Sequence, residues 1–174
     1  MFRLILLIAL SCLFLIQAQA RGIYQEPKDF ITESFTGQAP APQVIWLNKD
    51  LKNQVEKILQ HNYRGLRIRY WTKDGRSAWV LEEIGKEHPI TTGIIISDNK
   101  IESIKVLIFR ESRGWEVKYP FFTQQFINSQ LNPENNLDRT IDGISGATLS
   151  VRAVTKLARI ALLLNKKVIH DTNS

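Results

Sequence analysis

The sequence predicts an α+β domain: an antiparallel β-meander sheet covered by helices, with a long helix at its C-terminal end. Three observations predict it. Short segments of strand period alternate with turn signals between Leu66 and Phe109. An amphipathic helical pattern precedes them, from Val44 to Leu59. A continuous apolar stripe at helical spacing closes the chain, through Val151, Val154, Leu157, Ala158, Ala161 and Leu164.

Residues 1–20 read as a secretory signal rather than as part of the domain. Arg3 supplies the positive charge, Leu4 to Ile16 the apolar run, and Ala18-Gln19-Ala20 the small-x-small cleavage pattern. The run is shorter than the roughly 20 apolar residues of a spanning helix. An uncleaved N-terminal anchor is the alternative, and Ala9-Leu10-Ser11 fits lipid attachment at Cys12 poorly. Removing 20 of the 174 residues takes away Cys12 and Met1, the only Cys and the only Met. The mature chain then has no disulfide, no thiolate metal site and no haem-attachment motif. His61, His88 and His170 are scattered singly, which is not metal-ligand spacing. The formal charge of +6 drops by the one charge of Arg3. Moderate positive charge suits an anionic membrane surface or an acidic redox partner, and export removes nucleic acid as a partner. The expected compartment is the periplasm, with membrane association open.

Residues 21–42, with Pro27, Pro40 and Pro42 and no sustained period, are expected to form an extended arm, leaving 43–174 as the domain. The helix begun near Val44 is expected to end near His61, with Gly65 as the breaker. Leu66 to Trp71 alternates as a half-buried strand, and Lys73-Asp74-Gly75-Arg76 turns it into a return strand from Ala78 to Ile84. Gly93 to Ile96 is a short strand, and Ser97-Asp98-Asn99-Lys100 turns it into Ile101 to Phe109. Pro120 is placed to begin a short helix over Phe121 to Ile127. Asn128 to Asp138, polar and holding Pro133, is an exposed loop. Ile160, Leu162 and Leu163 lie off the main stripe of the last helix, so that helix is buried on more than one side.

Chemistry concentrates in Asp142-Gly143-Ile144-Ser145-Gly146-Ala147-Thr148-Leu149-Ser150. Gly146 and Ala147 allow close approach to the backbone, and Gly146 tolerates φ > 0. The hydroxyls of Ser145, Thr148 and Ser150 stand where the chain enters a helix, whose free N–H groups and positive dipole end suit a phosphate. On the residues alone, a plain capped helix start is the better explanation of the segment, with Thr148 or Ser145 as N-cap and Asp142 closing the turn.

Asp142-x-x-Ser145-Gly146-Ala147-Thr148 resembles the flavinylation motif of the FMN-binding domain family, Asp-x-x-(Ser/Thr)-Gly-Ala-(Thr/Ser). That family includes the periplasmic flavin subunits of the sodium-pumping NADH:quinone reductase and of the Rnf complex. Average residue usage would give such a match in roughly one chain in a thousand, which favours the resemblance over the bare cap. The likeness extends more weakly over residues 66–165. It implies an electron carrier, rather than a turnover enzyme, with FMN joined covalently to Thr148 by a phosphoester. A flavin transferase using FAD would attach it, and a membrane or periplasmic redox partner would exchange electrons with it. Ser145, Gly146 and Ala147 would admit the donor and hold the phosphate, and Asp142 would be read by the transferase or help activate the hydroxyl. Ser150 lies outside the motif proper, in the first helical turn, as a candidate phosphate contact. Two rivals remain open: an exported binding module without flavin, and a flavin-dependent reductase of a small substrate.

Trp115, Tyr119, Phe121 and Phe122 read first as core beneath a loop and second as a wall for an isoalloxazine ring. Arg110 or Arg113 is a candidate partner for a flavin phosphate, against an ordinary solvated role. Spacing gives no Ser–His–Asp arrangement and no paired carboxylates, so hydrolysis is not expected. The leader reading predicts that exported protein begins at Arg21. N-terminal sequencing of periplasmic material checks it, and full-length cytoplasmic protein would remove the compartment assignment.

Overall fold

The computed structural model describes residues 22–172, so the leader expected over 1–20 lies outside them. Five strands form one antiparallel sheet in sequence order: β1 (Gln43–Trp46), β2 (Arg67–Lys73), β3 (Arg76–Ile84), β4 (Pro89–Ser97) and β5 (Lys100–Phe109). Two tight turns make the meander. Asp74 and Gly75 have φ of 51° and 76°, and Asp98 and Asn99 have 50° and 58°, the paired positive values of a type I′ hairpin. Those are the turns the sequence marks.

The Val44-to-Leu59 pattern divides where a single helix was expected. Gln43–Trp46 is an edge strand, with Ile45 buried and Val44 and Trp46 exposed, and Val44 pairs with Arg69. Helix α2 then runs from Lys49 to Leu59. Asn48 caps it, its side chain accepting from the Leu51 N–H at 2.9 Å, and Gln60 ends it at φ 63°, ahead of Gly65. Val44 and Leu47 fit either period, and the cap at Asn48 decides between them.

The sheet is covered on both faces. Helix α4 (Thr148–Thr172) and α2 bury Trp79, Ile94, Ile104, Leu157, Ala161 and Leu164 against one face. Ile160, Leu162 and Leu163 are buried too, as their position off the main stripe implies. The Ser77 hydroxyl donates to Asn165 Oδ1 at 2.6 Å and accepts from Trp79 Nε1 at 2.8 Å, a satisfied polar link inside this core.

The other face corrects the extended-arm expectation for residues 21–42. Pro27 opens an eight-residue helix, α1 (Pro27–Ser34), which buries Phe30 and Ile31, with Phe35, over Ala78, Ile95 and Leu107. The Phe30 ring occupies the space a side chain at Gly93 would need. Ahead of α1, Gly22 and Tyr24 bond to Phe109 and Leu107 and cover the outer edge of β5. The sheet supplies the partner that makes this short segment helical, and its own three prolines hide that.

After β5 come a 3-10 turn (Trp115–Lys118), a four-residue helix α3 (Pro120–Thr123) and a second 3-10 turn (Gln124–Phe126). The helix begun by Pro120 is real but shorter than expected. Residues 128–138 are largely loop, with one bridge between Leu131 and Leu137.

Phe30 is 2% exposed and anchors α1. Phe30→Ala should therefore cost about 3–4 kcal/mol. Urea unfolding measures this, and a loss under 1 kcal/mol would mean that α1 contributes little to the fold.

Candidate functional site

The Asp142–Ser150 segment lies at the end of the sheet where β3, β4 and β5 meet the start of α4. The carbonyl of Ile144 accepts from the Ala147 N–H at 3.0 Å, closing a turn. Gly146, at φ 79°, occupies its third position, as a type II turn requires. Space beside Gly146 is open, so the glycine serves the backbone angle. Ile141 and Ile144 are half-buried against the main core and Ala147 is buried, which pins the segment from below.

Helix α4 begins at Thr148, and its first internal bond runs from the Val151 N–H to the Ala147 carbonyl at 2.9 Å. Ala147 is therefore the N-cap, and it has no side-chain acceptor. The two residues proposed as caps, Thr148 and Ser145, do not cap. Thr148 is the first helical residue and exposed, and Ser145 is exposed in the turn. Among the described residues, no side chain accepts from the N–H groups of Thr148, Leu149 or Ser150. Those amides remain free donors at the positive end of a long helix.

Around this start lies a cleft of about 590 Å³, lined by Lys86, Glu111, Ser112, Arg113 and residues 146–150. It brings together Gly146, Ala147, Thr148 and Ser150 but leaves Asp142 and Ser145 outside its lining. Asp142 is exposed, and its N–H donates to Gln125 Oε1 at 2.7 Å. Ser150 is 4% exposed and faces Gly114, where a Cβ would clash with its hydroxyl. Gly114 also sits at φ 84°, so the β5–α3 turn needs glycine for both space and angle.

Of the two candidate arginines, Arg113 lines the cleft. Arg110 is turned away, donating to the Pro89 carbonyl at 3.1 Å and to Thr91 Oγ1 at 2.9 Å. Lys86, from the β3–β4 turn, is a second cation in the cleft that the sequence reading missed, as it missed Gly114 and Glu111.

Glu111 holds that turn in place. One carboxylate oxygen accepts from the N–H groups of Lys86, Glu87 at 2.7 Å and His88 at 3.0 Å. Burial opposes the charge, but the N–H donors of His88, Glu87 and Lys86, with His88 nearby, outweigh it. The carboxyl titrates below its ordinary value near 4.5.

The aromatic cluster splits. Phe122 is fully buried, whereas Trp115, Tyr119 and Phe121 are 42%, 39% and 59% exposed. The core-beneath-a-loop reading holds for Phe122 alone. Trp115 and Tyr119 meet edge to face at 5.6 Å, and Lys118 Nζ stands 5.3 Å from the Trp115 ring and 4.1 Å from Tyr24. This exposed aromatic strip runs from Gly114, against the start of α4, toward Gln125, which holds Asp142. Among the described residues there is no His, Cys, Asp or Glu cluster able to hold a metal, and no helix long and apolar enough to cross a membrane.

The sheet end thus presents an open hydroxyl among free backbone donors and two cations, a surround that suits a phosphate. The family model for the FMN-binding domain matches residues 85–163, from the β3–β4 turn into α4. That stretch, which contains every residue of the cleft, matches the FMN-binding domain family, and the match supports a flavin-binding protein. No match to a curated protein was found.

The Glu111 carboxylate is depressed in the folded state, so its contribution is present above pH about 4.5 and lost as pH falls through the lower folded value. Glu111→Ala should cost about 2 kcal/mol at neutral pH, from three unpaired N–H groups. Urea unfolding between pH 7 and pH 3 checks this. The parent should lose stability over the acid limb more steeply than Glu111→Ala, and parallel curves would remove the role given to Glu111.

Proposed function

We propose that the chain is an exported electron-transfer flavoprotein carrying FMN on the Thr148 hydroxyl through a phosphoester. The observation that carries this reading is the placement of Thr148. Its hydroxyl is exposed, caps nothing, and stands at the first position of an uncapped helix. A threonine kept there for helix stability would be expected to cap.

The chain's own residues account for the attachment. The Thr148 oxygen forms a bond to the flavin-side phosphorus of FAD, and the pyrophosphate linkage breaks. AMP departs, and the hydroxyl proton is released to the transferase or to water. Free N–H groups of Thr148, Leu149 and Ser150, with Lys86 and Arg113, suit the phosphate charges. Gly146 leaves open space beside the turn through which the donor approaches. Asp142, exposed with its backbone fixed by Gln125, supports a role in recognition by the transferase rather than in holding phosphate. Trp115, Tyr119 and Phe121, exposed on the segment that follows Gly114, offer faces for stacking.

The bound flavin supplies one- or two-electron transfer. The protein positions it at the surface, where a membrane or periplasmic redox partner can reach it. The charge–apolar–Ala-x-Ala order of residues 1–20 supports export to the periplasm.

Co-production with a flavin transferase tests the reading. Denatured, washed protein should keep flavin fluorescence in the parent, lose it in Thr148→Ala, and retain some in Thr148→Ser. Thr148→Ala should change stability by under about 0.5 kcal/mol, since no cap is removed. Ser150→Ala should keep its flavin, because that hydroxyl is enclosed against Gly114. Covalent flavin persisting in Thr148→Ala would overturn the attachment site, and loss confined to Ser150→Ala would move it two residues on.

A further inference from the structure

Helix α1 covers only part of its face of the sheet. It sits over Ala78, Ile95 and Leu107 of β3, β4 and β5, leaving the β1–β2 half bare. There Val44 and Trp46 are 40% and 64% exposed, and a groove of about 780 Å³ opens between α1 and this half-sheet. Its apolar walls include Ile31, Val44 and Trp71, and its cations are Lys28, Arg67 and Arg69. No carboxylate lines it.

Three of the described arginines pair with carboxylates. Arg76 is paired with Glu102 at 2.5 Å, Arg110 stands 3.5 Å from Glu82, and Arg139 stands 3.5 Å from Asp138. Among the described residues, Arg67 and Arg69 have no carboxylate partner; the Arg67 guanidinium instead lies 5.6 Å from the centre of the Trp46 ring. Glu82, across the adjoining cavity, already accepts from Thr91 Oγ1 at 2.5 Å. Two residues apart on one strand, the two arginines project from the same face about 7 Å apart. A volume of this size, mostly apolar with a few convergent polar groups, is typical of small-ligand sites.

We propose that this groove is a second binding site, for an apolar organic monoanion whose acidic head lies between Arg67 and Arg69 and whose tail rests on Ile31, Val44 and Trp71. Every lining residue lies between Pro27 and Val80, outside the stretch matched to the FMN-binding domain. The site is therefore independent of the flavin and of its attachment.

Titration with the fluorescent anion 8-anilinonaphthalene-1-sulfonate tests it. The parent should show saturable enhancement, displaced by laurate or by 2-naphthoate but not by the neutral 1-dodecanol or 2-naphthalenemethanol. The stronger displacer assigns the tail as acyl or aromatic. Arg67→Gln with Arg69→Gln should weaken binding at least about tenfold, since two charge-assisted contacts go. Both side chains are exposed, so the fold should be unaffected. Trp115→Ser, at the other exposed aromatic surface, should leave binding unchanged. Equal binding by the parent and the double arginine variant, equal displacement by the neutral alcohols, or loss of binding in Trp115→Ser would each overturn the proposal.

Discussion

The site depends on the burial of α4, which fixes where the helix starts. From Ala153 to Asn165 most of its residues lie against the sheet, and the Asn165–Ser77 bond joins it to β3. A helix held along that length cannot slide to find a better cap. The chain before it must end its turn at Ala147, a residue that cannot cap. The resulting free N–H groups are a local cost that core packing offsets elsewhere, a pattern expected where structure is held for function.

Electrostatics follow from the same placement. The start of α4 meets the β3–β4 turn and the turn after β5, both of which are short and need external support. Glu111 provides it by gathering three N–H groups of the first turn from its seat at the base of the second. Its charge is thereby used within the protein, while Arg113 and Lys86, whose ammonium also stands 3.0 Å from the Glu87 carboxylate, line the cleft. The His61–Glu83–Lys156 network does similar work deeper in the fold. Glu83, 6% exposed, is met by His61 at 3.0 Å and by Lys156 at 3.5 Å, tying β3 to the end of α2 and to α4. Lys156 also donates to the Leu59 carbonyl at 2.5 Å, so one side chain serves both a carboxylate and a helix end.

Local chemistry was legible in the sequence, and coverage between distant segments was not. Asp74-Gly75 and Asp98-Asn99 announce their turns because few residues accept paired positive φ. The stripe of α4 announces itself because six apolar residues keep one period over fourteen positions, Val151 to Leu164. In α1 only Phe30 and Ile31 carry the pattern between prolines, and the helix exists because the sheet has a second face to cover. At β1 the apolar positions fit two periods, and only the cap at Asn48 separates strand from helix. The motif was legible as a string, whereas Lys86, Glu111 and Gly114 reach it from other turns. Gly114, in a turn just after an apolar strand, was the one available signal.

Why one hydroxyl of the segment stands apart from the others is a matter of helix geometry. Residues two apart on an α-helix point about 200° away from each other around the axis, so Thr148 and Ser150 cannot share a face. Burial of α4 sets Ser150 inward against Gly114 and leaves Thr148 outward beside the free N–H groups. Ser145 is also exposed, but it stands in the turn before the helix and outside the cleft lining. Sequence spacing treats these three hydroxyls as equivalent. The sheet, by fixing the rotation of α4, makes Thr148 the one that combines exposure with a phosphate-compatible surround.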